Sequence, residues 1–135
     1  MIKNCKLINL EKISDPRGSL TFIENNKHIP FEIKRAYYIY DLIKGSVRGG
    51  HAHKALSQFI VAVNGSFDIL LDDGINKKKI HLSQPNEGLY VPPMIWREME
   101  NFSNNCVCFV LASDFYIESD YYRNYDEFLK DVTSL

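Results

Sequence analysis

The pair Asn64-Gly65, set between two apolar runs, is the feature that most limits how this chain folds. The runs are Ser57 to Val63 and Phe67 to Leu71, and both have the length and residue types of β-strands. An Asn-Gly pair in this setting indicates a tight hairpin turn, so the two runs are expected to be antiparallel neighbours. Asp72-Asp73-Gly74 closes the next turn. The chain is therefore predicted to form antiparallel β-structure.

Short strands separated by turn residues continue along the chain. Phe31 to Tyr40 can alternate, with Arg35 and Tyr37 on one face, and if that face is interior both side chains enter a cavity. Cys106 to Ala112 is apolar throughout, which favours a strand covered on both faces. The other expected strands are Lys78 to Leu82, Leu89 to Val91 and Trp96 to Glu100. Without a composition break, these strands predict one all-β domain over residues 1–135, a sandwich or barrel.

Only the C-terminus has a helical pattern. Between Asp126 and Leu135, Phe128 and Val132 lie on one stripe. Asn124 or Asp126 is placed to cap the first turn. A short C-terminal helix that packs on the β-domain is expected.

Composition excludes several kinds of partner. Sixteen Lys and Arg against seventeen Asp and Glu give a net charge of −1, so no basic field attracts nucleic acid or a membrane surface. The longest apolar run, Cys106 to Ala112, is far shorter than the about twenty residues of a membrane span. Three cysteines without metal-site spacing suit a reducing compartment, so a cytoplasmic protein is expected.

The segment Arg48 to Lys54, RGGHAHK, carries the main chemical signal. His51 and His53 are two residues apart, so on an extended segment both imidazoles lie on the same face. Such a pair binds a metal or moves protons. Gly49 and Gly50 precede it and permit close backbone approach or unusual dihedral angles.

The spacing around the two histidines resembles the two motifs of the cupin superfamily. The first motif is matched by Gly45, His51, His53, Gln58 and Gly65, and the second by Pro92, Met94, Arg97 and Asn101. Cupins normally carry Glu where Gln58 stands and a third metal-binding His where Arg97 stands. Because Arg97 is a permanent cation and Gln58 offers only an amide oxygen, a divalent metal is disfavoured.

Two metal-free histidines are suited to proton transfer at a carbon next to a carbonyl group. One imidazole accepts the carbon-bound proton and the other donates one. The enolate oxygen formed on the way needs a positive or hydrogen-bonding partner, which Arg35, Arg17 or Tyr37 can supply. This chemistry requires no cofactor.

Longer segments resemble a known family, the dTDP-4-keto-6-deoxy-D-glucose 3,4-ketoisomerases, which are small cupins of deoxysugar biosynthesis related in fold to the dTDP-sugar 3,5-epimerases. The resemblance extends over nearly the whole chain. Its segments are DPRGSL at 15 to 20, NKHIPFEIKRAYYIYD at 26 to 41, RGGHAHKAL at 48 to 56, NGSFDILLDDG at 64 to 74, GLYVPPMIWREM at 88 to 99 and VLASDFYIESDYYRNYDEF at 110 to 128.

The resemblance implies a cupin jelly-roll homodimer, with or without exchange of N-terminal strands between the subunits, and a dTDP-linked 4-keto-6-deoxy sugar as substrate. His51 and His53 match the two essential histidines, and Arg35 and Tyr37 match the active-site strand. By this resemblance His51 removes the proton from sugar C3 and His53 helps to protonate C4. The keto group moves from C4 to C3 through an enediol, and an aminotransferase typically acts next.

Other residues are expected to contact the substrate. Arg17, Lys54 and Arg97 are placed by the resemblance near sugar hydroxyls or diphosphate, beside Gln58, while Trp96 either stacks on the thymine or fills the barrel. Family members differ in the C4 configuration of their product. Here Arg17 is similar to the galacto-forming type and Arg97 to the gluco-forming type, so the configuration stays open.

Three alternatives remain at this stage. One is a 3,5-epimerase, which uses the same proton abstraction at other carbons. Another is a sugar-nucleotide-binding cupin module without catalysis, although no DNA-recognition helix accompanies the domain. The third is a metal-dependent cupin oxygenase that would hold its metal on His51 and His53.

Overall fold

Two antiparallel β-sheets packed face to face form the body of the computed structural model, which describes residues 2–135. Within these residues the strands are, in chain order, β1 (Lys6–Asn9), β2 (Ile13–Asp15), β3 (Gly18–Leu20), β4 (Arg35–Ile39), β5 (Arg48–His53), β6 (Gln58–Asn64), β7 (Phe67–Asp72), β8 (Lys77–Leu82), β9 (Glu87–Val91), β10 (Trp96–Glu100), β11 (Val107–Ala112) and β12 (Tyr121–Tyr122).

The strand order is that of a double-sheet jelly roll. The first sheet runs β1-β9-β6-β11-β4 and the second runs β12-β5-β10-β7-β8. Strands β2 and β3 form a separate hairpin that belongs to neither sheet. The predicted all-β cupin fold is therefore confirmed.

The main core lies between the two sheets, where Ile60, Val110 and Ile69 are almost fully buried. A second apolar layer covers the outer face of the first sheet, where Phe31 packs in one cluster with Phe59. The central parts of β6 and β11 are thus covered on both faces, which explains why Phe59 to Ala62 and Cys108 to Ala112 are apolar throughout.

The predicted hairpin at Asn64-Gly65 is wrong. Strand β6 pairs with β9 and β11, whereas β7 pairs with β8 and β10, so the two runs lie in different sheets. Gly65 has a φ of 71° and turns the chain from one sheet into the other. Strands β6 and β7 each have two neighbouring strands in their own sheet. The local turn signal does not reveal which strands become those neighbours.

The second turn and the helix are as predicted. Strands β7 and β8 pair directly across the Asp72 to Gly74 turn. Helix α1 (Tyr125–Thr133) has nine residues, and its cap Asn124 accepts a hydrogen bond from the Glu127 backbone N–H at 3.0 Å. Among residues 2–135 no helix is long and apolar enough to cross a membrane.

Strand lengths differ from the predictions where prolines and short pairings intervene. The strand predicted from Phe31 to Tyr40 is confined to β4, because the chain after Pro30 packs over the first sheet before it joins the ladder. Strands β1, β2, β3 and β12 were not predicted, since two to four residues give too little periodicity.

The packing of the first sheet can be tested by a substitution at Gly88. A Cβ atom at this position would overlap the ring of Phe59, which is fully buried. We expect Gly88→Ala to lower the free energy of unfolding by about 1–3 kcal/mol, as overpacking does, measured by urea denaturation. The double variant Gly88→Ala/Phe59→Leu should lose less than the sum of the two single losses. Additive losses would contradict the overlap.

Candidate active site

A β-bulge in strand β5 aims the two histidines into the space between the sheets. In the pairing with β10, Arg97 lies opposite His51 and Met99 lies opposite Arg48, so β5 contains one extra residue. Gly49 supplies the left-handed backbone at this point, with a φ of 76°. His51 and His53 therefore lie on the inner face together with Arg97, as their spacing predicted.

His53 is held by a carboxylate that the sequence analysis did not identify. The imidazole is fully buried, and its Nδ1 lies 3.0 Å from Asp120 Oδ2. A carboxylate only accepts, so Nδ1 carries the proton and Nε2 presents a lone pair. The other oxygen of Asp120 accepts the Ala55 backbone N–H at 2.8 Å. The orientation and tautomer of His53 are thereby fixed.

His51 lies beside His53, with 4.9 Å between the two ring centroids. Its Nε2 and the Nε2 of His53 are buried without a hydrogen-bond partner. Burial lowers the pKa of His51 to about 2 and that of His53 to about 3, and the charge of Arg97 contributes to both shifts. At neutral pH both imidazoles are uncharged bases.

Arg97, Gln58 and Tyr37 form a directed chain of hydrogen bonds. Arg97 Nη1 donates to Gln58 Oε1 at 2.5 Å, and Gln58 Nε2 donates to the Tyr37 hydroxyl at 3.0 Å. Because Arg97 can only donate, Gln58 must present its carbonyl to Arg97 and its amide N–H to Tyr37. The hydroxyl of Tyr37 is then free to donate its own proton to a ligand. Burial raises the pKa of Tyr37, so that proton stays in place.

A cavity of about 340 Å³ opens beside these groups. Its lining includes His51 and Tyr37 together with three arginines, Arg35, Arg48 and Arg123, and no carboxylate of residues 2–135. The Nε and Nη2 atoms of Arg35 are buried without partners, and its guanidinium lies 5.4 Å from the centre of the Tyr37 ring. The cavity is suited to a ligand with a negative charge and hydroxyl or carbonyl oxygens.

The donor set does not fit a cupin metal. Two imidazoles are present, but Arg97, which is 1% exposed, occupies the inner face directly across the ladder from His51. No group of three or more His, Cys, Asp or Glu side chains that could hold a metal ion occurs in residues 2–135. A divalent cation here would lack ligands and face a buried positive charge.

Three predicted substrate-binding residues lie away from the cavity of their own chain. Arg17 is exposed on the β2–β3 turn and pairs with Asp15 at 2.7 Å. Lys54 follows β5 on the surface, where its amine donates to the Ser119 carbonyl. Trp96 faces the opposite side of its sheet, because it neighbours Arg97 along β10, and it packs on Tyr125 and Phe128. Packing explains the position of Trp96.

The residues that were missed come from one segment after β11. Asp120 lies there, as do Tyr121 and Arg123, which line the cavity. The family resemblance included this segment, within residues 110 to 128, but assigned no role to these residues, and an acidic, tyrosine-rich composition is equally typical of packing. Their arrival at the site depends on the pairing of β12 with β5.

Comparison with known proteins identifies the family. The family model described as FdtA: WxcM-like, C-terminal matches residues 3–133. The chain belongs to this family.

Relatives of this FdtA-family chain have named activities. A TDP-4-oxo-6-deoxy-alpha-D-glucose-3,4-oxoisomerase of Aneurinibacillus thermoaerophilus is 53% identical over 130 residues, 96% of this chain and 94% of that protein. A mutant of the 3,4-ketoisomerase QdtA from Thermoanaerobacterium thermosaccharolyticum, in complex with TDP-4-keto-6-deoxyglucose, is 44% identical with a TM-score of 0.97, covering 99% of this chain and 97% of that chain. The WlaRB TDP-quinovose 3,4-ketoisomerase from Campylobacter jejuni is 56% identical with a TM-score of 0.92, covering 96% and 99%.

The charge state of the histidine pair can be measured by NMR. Because burial and Arg97 lower both pKa values, the ¹⁵N shifts of His51 and His53 should report neutral rings from pH 8 down to pH 5. His53 should be the Nδ1–H tautomer. The variant Arg97→Met, which removes the charge, should raise both pKa values. Titration of either ring near pH 6.5 in the unsubstituted protein would contradict the buried, neutral pair.

Proposed function

We propose that this chain is a sugar-nucleotide 3,4-ketoisomerase. It converts TDP-4-keto-6-deoxy-D-glucose into a TDP-3-keto-6-deoxyhexose through an enediol, without a metal or cofactor. The observation that carries the proposal is the pair of neutral imidazoles, each with an unpartnered Nε2 atom, beside an arginine-lined cavity. The named activities of relatives that match nearly the whole chain support the choice of substrate.

The first step is removal of the proton from sugar C3. His51 lines the cavity and has a free Nε2 lone pair, so it is assigned as the base. The imidazolium that forms on His51 is unfavourable in a buried, positively charged setting, which accounts for the low pKa of His51 in the protein without substrate. The diphosphate and the developing enediolate bring negative charge next to this ring and offset that cost.

The negative charge that forms on O4 needs a partner. The free proton of the Tyr37 hydroxyl and the unpartnered N–H groups of Arg35 are placed to stabilise it. Both side chains project from β4 toward the same cavity, and their orientation is set before the substrate arrives.

The second step transfers two protons and returns both histidines to their neutral state. His51 gives the C3 proton to O4, which completes the enediol. His53 accepts the hydroxyl proton of O3 at Nε2 and delivers it to C4 as the C3 carbonyl forms. Asp120 stabilises the transient His53 imidazolium through Nδ1. The face of C4 that receives the proton decides the product configuration.

Arginine side chains that line the cavity are proposed to bind the diphosphate. Arg123 is already bound by Glu118 through two hydrogen bonds, of 2.8 and 2.9 Å. Arg48 forms no ion pair with any carboxylate of residues 2–135, so its charge is available to the diphosphate while Arg35 serves O4.

The reaction is tested by incubating the protein with TDP-4-keto-6-deoxy-D-glucose in D₂O and recording NMR spectra of the product. The O3 hydroxyl exchanges with solvent before its proton moves, so we expect a 3-keto product with deuterium at C4. The C4 coupling constants also give the product configuration. Deuterium at C5 would instead indicate an epimerase, and a sugar returned unchanged would indicate a binding module; either result contradicts the proposal.

The variant His51→Asn tests the base. Loss of a general base is expected to lower kcat by about 10²- to 10⁴-fold while the fold is retained. The matched control is His81→Asn, which changes a histidine on the outer face of the second sheet, paired with Asp68 at 2.7 Å. The control should keep its turnover. Near-normal turnover by His51→Asn would show that another group removes the C3 proton.

The protein is proposed to act as a homodimer. All residues of the β2–β3 hairpin are exposed, including Ile13 and Leu20, and the hairpin joins neither sheet. A second copy could cover this hairpin and the exposed Tyr38 of edge strand β4, and would bring Arg17 toward the partner's cavity. We expect sedimentation equilibrium to give twice the mass of the chain. A monomer at micromolar concentration would contradict this arrangement.

The cellular setting and the domain limits are also proposals. The three cysteines are free and buried, which suits a reducing cytoplasm where sugar nucleotides are made. The family match over residues 3–133 supports a single ketoisomerase domain over residues 1–135.

A further inference from the structure

The segment from Tyr116 to Arg123 crosses from the first sheet to the second and forms one wall of the cavity. It contains a turn of 3-10 helix, Glu118–Asp120, and ends in β12. Its backbone is attached to the end of β5, where the Lys54 N–H donates to the Asp120 carbonyl at 2.8 Å. The segment is therefore anchored directly beside the histidine pair.

Tyr121 is the residue of this segment that contacts both imidazoles. Its ring centroid lies 4.4 Å from that of His53 and 5.2 Å from that of His51. Its backbone pairs with His53 in the ladder between β12 and β5. Aromatic contacts at these distances restrict how the rings turn.

The two histidines differ in what else holds them. His53 is fixed by Asp120 through Nδ1. No hydrogen bond to either ring nitrogen of His51 comes from residues 2–135, and the ring is only half-buried. The orientation of His51 thus depends on its contacts with Tyr121 and His53.

A network on the outside holds Tyr121 in turn. The guanidinium of Arg123 lies 4.1 Å from the centre of the Tyr121 ring. Glu118 accepts two hydrogen bonds from that guanidinium, and its Oε1 also accepts the Tyr116 hydroxyl proton at 2.5 Å. The charge of Arg123 is therefore fixed over the ring by residues that touch neither histidine.

We propose, on the basis of the ketoisomerase function above, that Tyr121 is a positioning residue, which aligns the His51 ring with sugar C3 and is itself held by the Arg123–Glu118 pair. The proposed contact runs through the aromatic ring, whose centroid lies 4.4 Å from that of His53 and 5.2 Å from that of His51. A base that turns away from the reacting carbon loses rate without losing affinity for the substrate.

The first test compares Tyr121→Ala with Tyr121→Phe. Tyr121→Ala should lower kcat by up to about 100-fold with little change in KM, and Tyr121→Phe should restore most of the rate. The matched control is Tyr125→Ala, which removes a half-buried tyrosine that packs on Trp96 on the opposite face of the sheet. It should lose thermal stability but keep kcat. An unchanged kcat in Tyr121→Ala, or a rise in KM alone, would overturn the proposal.

A double-mutant cycle separates positioning from an independent effect. If Tyr121 acts through His51, adding Tyr121→Ala to His51→Asn should cause almost no further loss, measured by long incubations at high enzyme concentration. Additive losses would overturn the proposal. Glu118→Ala removes the ion pair that holds Arg123 over the Tyr121 ring. Because exposed ion pairs are weak, this variant should lower kcat by only about twofold to fivefold.

A measurement without substrate distinguishes failure of this inference from failure of the proposed function. The order parameters of the His51 ring C–H bonds, from ¹³C relaxation, should fall in Tyr121→Ala and stay unchanged in Tyr121→Phe and Tyr125→Ala. If the His51 ring loses order in Tyr121→Ala but the unsubstituted protein does not convert the keto sugar, the positioning contact is supported and the substrate assignment fails. If the His51 ring keeps its order in Tyr121→Ala, the positioning role fails whatever the activity.

Discussion

The site depends on one buried cation, the guanidinium of Arg97. This side chain is 1% exposed, and its hydrogen bonds go to the Ile95 carbonyl and to Gln58, with no carboxylate partner among residues 2–135. A buried charge without a counterion is costly, so its neighbours must compensate or stay neutral. The two histidines stay neutral, and Gln58 supplies a carbonyl oxygen on one side and an amide donor on the other. A glutamate in the place of Gln58 would accept from Arg97 but could not donate to Tyr37.

Three strands, β4, β5 and β10, each contribute a different kind of functional group to the site. Strand β5 provides two bases, β4 an arginine and a phenol, and β10 the cation that sets their electrostatic environment. The segment after β11 adds a carboxylate for one histidine and an aromatic contact for both. Because the first three elements belong to sheets with a shared core, their positions are set by folding.

Local patterns in the sequence predicted the parts of the site that depend on strand periodicity. The two-residue spacing of His51 and His53, and of Arg35 and Tyr37, was enough to put each pair on an inner face. Motif spacing then added Gln58 and Arg97, which lie in different sheets and meet across the interior only after folding. The same alternation bears on the two alternatives for Trp96, since its side chain points away from the cavity if that of its neighbour Arg97 points inward.

The features that sequence did not reveal depend on long-range pairing. The Asn64-Gly65 turn is real, but whether it joins neighbours in one sheet or carries the chain between sheets is decided by competition among all strands. Asp120 lies 67 positions after His53 and reaches it only because the two-residue strand β12 pairs with β5, a contact without any local signal. The incorrect prediction of a hairpin and the failure to identify Asp120 have the same cause. Both features depend on the order of the strands in the sheets, which local sequence patterns do not show.

The bulge in β5 changes which side chains one strand can present together. In a regular strand, residues three positions apart face opposite ways, yet Arg48 and His51 both line the cavity, because the extra residue at Gly49 resets the alternation between them. The phase of this strand therefore decides which of its side chains line the cavity together. A substitution that abolished the left-handed conformation of Gly49 without changing the chain length would instead favour regular pairing, and this would turn either the guanidinium or both imidazoles to the wrong side.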